Sequence, residues 1–170
     1  MQNDVGKLEK ITERFSKIGS IPVLQPENIY KVLDNCIIYL KARSSGSINF
    51  IQNYNSDAEL LVPLNRSLFE WVIENIYKNA IDAMKGEGDI EMNLVENEKN
   101  IYIDIKDSGK GISKTKYKTI FRPGYTTKTR GWGLGLSLTK RIVESYHQGK
   151  IFVSESELNT GTTIRIVLKK

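Results

Sequence analysis

The stretch GYTTKTRGWGLGLSLTKR, residues 124–141, places four glycines beside four cations and runs directly into an apolar helical pattern. Backbone N–H groups at the start of a helix attract anions, and glycine lets the chain approach a phosphate without a Cβ clash. These features predict a site for a phosphate-rich ligand. A flexible basic loop is the alternative.

The charge distribution favours a polyanionic partner for this region. Residues 106–141 hold ten of the 25 cations but one of the 20 anions, so the segment carries +9 while the rest of the chain carries −4. Such local asymmetry indicates a polyanion, although a solvated basic loop remains possible on charge alone. Nucleic acid would fit the charge, but neither an aromatic platform nor a recognition helix accompanies it.

A second candidate element is the helical run ENIYKNAIDAM. Asn75, Asn79, Asp82 and Ala83 are spaced so that they share one helix face. The Asn79 side chain could offer its oxygen to Mg²⁺, a hard cation that takes oxygen ligands and keeps waters and substrate phosphates. A solvated polar helix face is the structural alternative.

The third element is Asp107-Ser108-Gly109-Lys110-Gly111-Ile112, at the end of a predicted strand. A carboxylate there can accept a hydrogen bond from an exocyclic amine such as that of adenine, while the glycines let backbone approach the ring. Taken singly, the run is also a common turn. Gly161-Thr162-Thr163 places small hydroxyl residues at the start of the final strand.

Composition bounds the class of protein. With 170 residues and 39% hydrophobic content, the chain is expected to form one domain around one core. The single cysteine, Cys36, is predicted to pack as a small buried hydrophobe. The sequence shows neither an apolar run of transmembrane length nor a signal-peptide start, so we expect a soluble, cytosolic polypeptide.

Hydrophobic periodicity predicts the elements that must position these residues. Residues 3–18 resemble the tail of a longer helix joined by a linker to the domain. The predicted helices are 26–43, 67–84 and 134–147, and two strands, 47–53 and 58–63, flank the turn at 55–57. Two hairpins follow, one across 98–100 and one through 159–161. The expected class is α+β, a sandwich with helices on one face of a mixed or antiparallel sheet.

The ordered set of Asn79, DSGKGI, FRPGYTTK, GWGLGLS and GTT resembles the N, G1, F, G2 and G3 boxes of the gyrase, chaperone, histidine kinase and mismatch-repair ATPase superfamily. Residues 21–170 are similar to the catalytic ATP-binding domain of a two-component sensor histidine kinase. Residues 1–20 resemble the end of its dimerisation helix hairpin and a linker. The resemblance implies a two-layer α/β sandwich whose mixed, mostly antiparallel sheet is covered on one face by helices.

The resemblance also implies the site. Asn79 would hold Mg²⁺, Asp107 would bind the adenine amine, and a lid from Thr126 to Gly135 would cover the triphosphate of ATP. Asn75 and Lys128 are the implied catalytic positions. The implied nucleotide-binding residues are Asn75, Lys78, Asn79, Ala83, Asp107, Gly109, Gly111, Ile112, Thr126, Thr127, Lys128, Arg130, Gly131, Gly133, Leu134, Gly135, Leu136 and Thr162.

Two departures from the family pattern and the position of the single histidine refine the expectation. ATP-hydrolysing branches carry a Glu general base where this chain has Asn75, and an amide cannot take a proton, which favours phosphoryl transfer to a protein. Asp82 stands where many family kinases have Lys or Arg, so charge compensation would rest on Lys78, Lys128 or Arg130. His147 occupies a place that resembles a structural turn, so the phosphoacceptor histidine is expected on a domain outside this chain.

The implied function is to bind Mg²⁺-ATP and present its γ-phosphate for transfer to a histidine on a dimerisation domain absent from this chain, in two-component signal transduction. Autophosphorylation by the chain alone is not expected. The implied partners are the chain's own dimerisation and phosphoacceptor domain and a downstream response regulator, in a homodimeric parent, with no nucleic acid and no membrane contact by this fragment. Two alternatives remain open at this point: a serine kinase of the anti-sigma-factor type, and a non-catalytic ATP-binding regulatory module. The cytoplasm is the expected location.

Overall fold

The computed structural model describes residues 22–44, 46–55, 57–127 and 133–170, and the predicted helix at 3–18 lies outside them. Seven strands and three α-helices follow one another along these residues. They are β1 (Gln25–Asn28), α1 (Ile29–Lys41), β2 (Ile48–Asn53), β3 (Leu61–Leu64), α2 (Arg66–Ala83), β4 (Gly88–Glu96), β5 (Asn100–Asp107), α3 (Gly135–Arg141), β6 (Lys150–Glu157) and β7 (Gly161–Lys169). Two 3₁₀ turns, Lys114–Lys116 and Thr119–Phe121, precede α3, and a π-helical segment, Ile142–Tyr146, extends it.

Five strands form one mixed sheet in the order β2-β4-β5-β7-β6. β2 runs parallel to β4, and the other three pairs are antiparallel. β1 and β3 form a separate antiparallel pair. The helices pack on one face of the large sheet, so the predicted α+β sandwich with a mixed, mostly antiparallel sheet is confirmed.

The first predicted helix begins later than the sequence indicated. Pro26 and Glu27 belong to β1, where they pair with Pro63 and Val62, and the helix starts at Ile29. Its cap is Asn28, whose Oδ1 accepts a hydrogen bond from the Tyr30 N–H at 3.1 Å. An asparagine in this position satisfies an N–H that has no partner within the helix, and that signal determines the start better than the proline does.

The strands predicted at 47–53 and 58–63 exist as β2 and β3, but they do not pair with each other across the 55–57 turn. β2 joins β4 in parallel, with Ile48 opposite Gly88, and β3 joins β1. Alternation of apolar and polar residues predicts that a segment is a strand, whereas the choice of partner depends on contacts distant in sequence. The hairpins β4-β5 and β6-β7 are confirmed.

The core lies between the sheet and the two long helices. α2 buries Phe69, Val72 and Ile76 on one stripe, and β5 alternates buried Ile103 and Ile105 with exposed or half-buried polar residues. This period-2 pattern turns one sheet face toward the helices and leaves the other face polar. Cys36 is buried on α1 as predicted, and burial raises the pKa of its thiol to about 12.

His147 follows the π-helical segment and links it by hydrogen bonds to the residue before α2. Its Nε2 accepts a hydrogen bond from the Asn65 N–H at 3.1 Å, and its Nδ1 lies 2.9 Å from the Ile142 carbonyl oxygen. The ring is buried, and burial lowers its pKa. The histidine therefore has a structural position, as the sequence indicated.

Among the described residues no helix is long and apolar enough to cross a membrane.

We expect His147→Leu to lower the free energy of unfolding by about 2 kcal/mol at pH 7.5, because it removes two hydrogen bonds and leaves the Asn65 N–H without its acceptor. Urea unfolding of both proteins measures this loss. Because the pKa of the folded-state imidazole lies below 6.5, wild type loses stability as pH falls below that value, and the difference between the two proteins should shrink. Ser145→Ala, an exposed change on the same segment, is the control; equal stability of His147→Leu and wild type would contradict the assignment.

Candidate functional site

The predicted site residues come from four separate parts of the fold. They lie on the second half of α2, at the end of β5 with the loop that follows it, at the start of α3, and at the start of β7. Each part is positioned by a different set of contacts.

Asp107 ends β5 with its side chain directed to the helix side of the sheet, and it is 7% exposed. Burial raises the pKa of its carboxyl to about 6, against the smaller opposing effect of backbone N–H groups from Gly109 and Thr162. The Gly109 N–H donates to Oδ1 at 2.8 Å. Thr162 is directly opposite Asp107 in the β5-β7 register. The carboxyl is thus a buried hydrogen-bond acceptor held by backbone N–H groups.

The loop after β5 is held against α2 and the β6-β7 turn. The Lys110 N–H donates to the Ala83 carbonyl at 3.2 Å, and the Asn159 N–H donates to the Lys110 carbonyl at 2.8 Å. Gly111 has a φ of 68°, and a Cβ there would overlap the Glu157 carbonyl. Only glycine fits that combination of backbone angle and space. The loop therefore lies between Ala83 and the hairpin, as an adenine-pocket wall would require.

Ser156 connects Ile112 to the same hairpin, and sequence reasoning missed it. Its Oγ accepts from the Ile112 N–H at 2.8 Å and lies 2.8 Å from both the Gly161 carbonyl and Thr162 Oγ1. The Tyr117 hydroxyl donates to the Ser156 carbonyl at 2.7 Å. Its partner Ile112 is 44 residues away in sequence, so no local motif marks this serine.

Asn79 is half-buried on α2, and its amide orientation is fixed. Its Nδ2 donates to the backbone carbonyl of Asn75 at 3.0 Å, one turn earlier. The side-chain oxygen is consequently the atom that would ligate Mg²⁺. Among the described residues no group of three or more His, Cys, Asp or Glu side chains could hold a metal ion.

Asn75 contacts the glycine-rich segment directly. A Cβ on Gly135 would lie 2.6 Å from Asn75 Oδ1 and 3.0 Å from Nδ2, so a side chain there would force the Asn75 amide to move. Asn75 Nδ2 donates to Thr139 Oγ1 at 2.8 Å. Sequence reasoning did not identify Thr139, whose side chain is fully buried. The site's α2 and α3 parts are thus joined through one amide.

Next to the predicted lid, Thr126 to Gly135, the Gly124 N–H donates to the Gly133 carbonyl at 3.0 Å. Thr126 and Thr127 are exposed, and Lys110 Nζ lies 3.5 Å from Thr127 Oγ1. Leu134, near the end of the lid, is exposed, and Leu136 is half-buried against the core. Lys128, Arg130, Gly131 and Trp132 lie outside the described residues.

Among the predicted site residues, Lys78 points its ammonium toward Glu74 on the surface of α2. Its ammonium donates to Glu74 at 2.6 Å along the surface of α2, and its side chain is 63% exposed. Asp82 is also exposed on this helix. The described part of the chain therefore does not bring an unpaired α2 cation to Asn79.

A groove of about 520 Å³ lies on the opposite, polar face of the sheet, with Glu91, Asp104 and Glu155 in its lining. Strand alternation places Asp104 on the other face from Asp107. Arg165 also lines the groove, and its guanidinium donates two hydrogen bonds, of 2.7 and 2.6 Å, to the Asp104 carboxylate. This groove is polar, open and separate from the glycine-rich elements.

The fold and the site together define an ATP-binding domain of the type found in sensor kinases. Residues 65–170 match the family described as histidine kinase-, DNA gyrase B-, and HSP90-like ATPase, and the chain belongs to this family. It is 30% identical over 176 residues to sporulation kinase D of Bacillus subtilis, covering 99% of this chain and 33% of that protein. It is 40% identical over 97 residues to the sensor histidine kinase ZraS of Escherichia coli, covering 57% and 20% respectively.

A solved structure agrees with these relatives. The catalytic domain of histidine kinase ThkA superposes with a TM-score of 0.76 at 27% identity, covering 86% of this chain and 95% of that one. The chain is therefore a histidine kinase-type ATP-binding catalytic domain. It spans a third or less of the curated relatives just named.

Asp107→Asn should stabilise the protein without nucleotide, because the buried carboxylate costs stability when it is charged. The pKa of Asp107 is about 6 in the folded state against 3.8 in the unfolded chain. Wild type therefore gains stability as pH falls from 6 to 4, whereas Asp107→Asn does not. We expect the variant to be about 1–3 kcal/mol more stable at pH 7.5 and equal to wild type near pH 4, measured by urea unfolding.

Asp89→Asn is the matched control, since this carboxyl is exposed at the start of β4. A stability gain for Asp107→Asn that persists unchanged at pH 4 would show that the carboxyl is not buried in its charged form.

Proposed function

We propose that this domain binds Mg²⁺-ATP and presents the γ-phosphate to a histidine on a dimerisation domain outside this chain, in two-component signal transduction. One observation carries the proposal: α2, which bears Asn79, contacts both the loop after Asp107 and the start of α3 at Gly135. The segments proposed to bind the purine and the polyphosphate therefore both contact one helix, which supports the proposal.

At the purine end, the Asp107 carboxylate would accept a hydrogen bond from the exocyclic amine of adenine. The Gly109 N–H donates to Oδ1, and a carboxylate has lone pairs for further hydrogen bonds, so an acceptor position would remain for the amine. Gly109, Gly111 and Ile112 would line the ring with backbone, and Ala83 and Thr162 would close the pocket. The charged Asp107 carboxylate accepts hydrogen bonds and cannot donate one, which fits the exocyclic amine of adenine.

At the polyphosphate end, Asn79 would be the protein ligand to Mg²⁺. The metal would supply charge neutralisation of the transferring phosphate. The backbone amides of Gly133 to Leu136 would contact phosphate oxygens at the start of α3. We further propose Thr126, Thr127, Lys128, Arg130 and Gly131 as lid contacts and Lys78 as an additional cation; in the described structure, Lys78 must first leave Glu74.

Transfer to a histidine needs no residue in this domain to deprotonate water. Asn75 stands where the hydrolysing branches carry a Glu, and its amide nitrogen donates to Thr139. An amide cannot act as a general base. This supports phosphoryl transfer to protein over ATP hydrolysis, with Lys128 proposed beside the γ-phosphate. His147 is buried in a structural role and is not proposed as the acceptor.

The activity of a whole kinase would need parts beyond this domain. We propose that residues 1–20 are the end of a dimerisation hairpin and its linker, that the catalytic domain spans residues 21–170, and that the parent is a homodimer acting on a response regulator in the cytoplasm. The sequence similarity to sensor kinases supports these proposals.

We expect Asn79→Ala to lose the Mg²⁺-dependent part of ATP affinity. Calorimetric titration with ATP should show that Mg²⁺ strengthens binding to wild type and has no effect on the variant, which would bind Mg²⁺-ATP about tenfold or more weakly. Asn35→Ala, an exposed change on α1, should behave as wild type. A variant that retains the full Mg²⁺ effect would contradict the metal assignment, and a wild-type chain that does not bind ATP would contradict the function.

A further inference from the structure

One hydrogen bond connects the two parts of the site that contact the polyphosphate in the proposed function. Asn75 Nδ2 donates to Thr139 Oγ1 at 2.8 Å, linking α2 to α3 across 64 residues of sequence. The backbone carbonyl of the same Asn75 accepts from Asn79 Nδ2 at 3.0 Å. Asn75 therefore contacts the candidate metal ligand through its backbone and α3 through its side chain.

The position of the Asn75 amide is tightly restricted. The first residue of α3, Gly135, lies so close that a Cβ there would be 2.6 Å from Asn75 Oδ1. Thr139, one turn further along α3, is 0% exposed, so its hydroxyl has no water to replace Asn75 as a partner. The amide is thus held between the start of α3 and a buried hydroxyl of the same helix.

A purely apolar packing role would not need this hydroxyl. Valine has nearly the shape of threonine, and helix interiors accept either residue at modest cost. A buried hydroxyl that lacks a partner is destabilising, whereas one that pairs with a directed amide fixes the geometry between two helices. The pairing at this position consequently specifies a distance between α2 and α3 in addition to filling space.

We propose that Thr139 is a positioning residue for polyphosphate binding: through the Asn75 amide it holds the start of α3 at a fixed distance from Asn79. This inference rests on the proposed function, because it assigns a purpose to a contact at the polyphosphate end of that site. In this proposal Thr139 itself contacts neither ATP nor metal. Its effect reaches the ligand through Asn75, Gly135 and Asn79.

The test compares ATP with adenosine on the full 170-residue chain. Thr139→Val keeps the shape but removes the acceptor of the Asn75 amide, and Thr139→Ser restores a hydroxyl. With Mg²⁺ present, we expect Thr139→Val to bind ATP about tenfold more weakly than wild type while adenosine affinity stays unchanged, and Thr139→Ser to bind ATP within about twofold of wild type. Thr115→Val, the same change at an exposed position in the first 3₁₀ turn, is the control.

A second variant tests whether Thr139 acts through Asn75. Asn75→Ala should weaken ATP binding but not adenosine binding, and adding Thr139→Val to it should cause no further loss, because coupled residues give non-additive effects. The Asn75→Ala measurement remains informative even if Thr139→Val does not fold, since Asn75 is only half-buried.

The outcomes separate this inference from the proposed function. If wild type binds adenosine and ATP but Thr139→Val or Asn75→Ala binds ATP as tightly as wild type, the positioning inference is wrong and the proposed function stands. Equal loss of adenosine and ATP affinity would also overturn it, because that pattern reports general loss of the fold. A wild-type chain that binds neither ligand would overturn both.

Discussion

The site depends on one packing constraint: α2 must pack against the sheet on one side and against the start of α3 on the other. Its apolar stripe, which includes Phe69, Val72 and Ile76, is buried against the sheet. Its amide-bearing side lies against the start of α3, where a Cβ on Gly135 would meet the Asn75 amide. A larger residue at 135 would displace that amide from its hydrogen bond to Thr139. The hydrophobic core and the polar site are therefore built on the same helix, and the core fixes the distance at which the site's parts meet.

The adenine end shows a different balance between stability and function. Asp107 is 7% exposed, and burial raises the pKa of its carboxyl to about 6, so the charged form is unfavourable in the folded protein near neutral pH. The opposing hydrogen bonds from Gly109 and Thr162 reduce that cost without removing it. A group kept in an environment that disfavours its charge is typical of functional sites. The proposed recognition of an amine would account for a buried carboxylate that packing alone does not explain.

Local pattern predicted most elements, and contacts distant in sequence account for what it missed. The helix at 66–83 and the two hairpins follow from periodicity and turn residues near each segment. The parallel β2-β4 pair and the β1-β3 pair could not be predicted, because their partners are separated by a helix or more. Thr139 and Ser156 were missed for the same reason: the sequence near a hydroxyl residue does not show which distant group it will hydrogen-bond. Asn79 and Asp107 were identified through their order in a family pattern, and the structure then showed how each side chain is held.

The proposed site requires that Asn79 and the start of α3 surround one metal-bound polyphosphate. Mn²⁺ substituted for Mg²⁺ in a complex with ATP broadens the NMR signals of nuclei near the metal, so it locates the metal directly. We expect broadening to be centred on the Asn79 side-chain amide and to reach the backbone amides of Gly133 and Gly135, with the opposite face of the sheet unaffected. Broadening centred on Glu91, Asp104 and Glu155, in the groove on that opposite face, would contradict it.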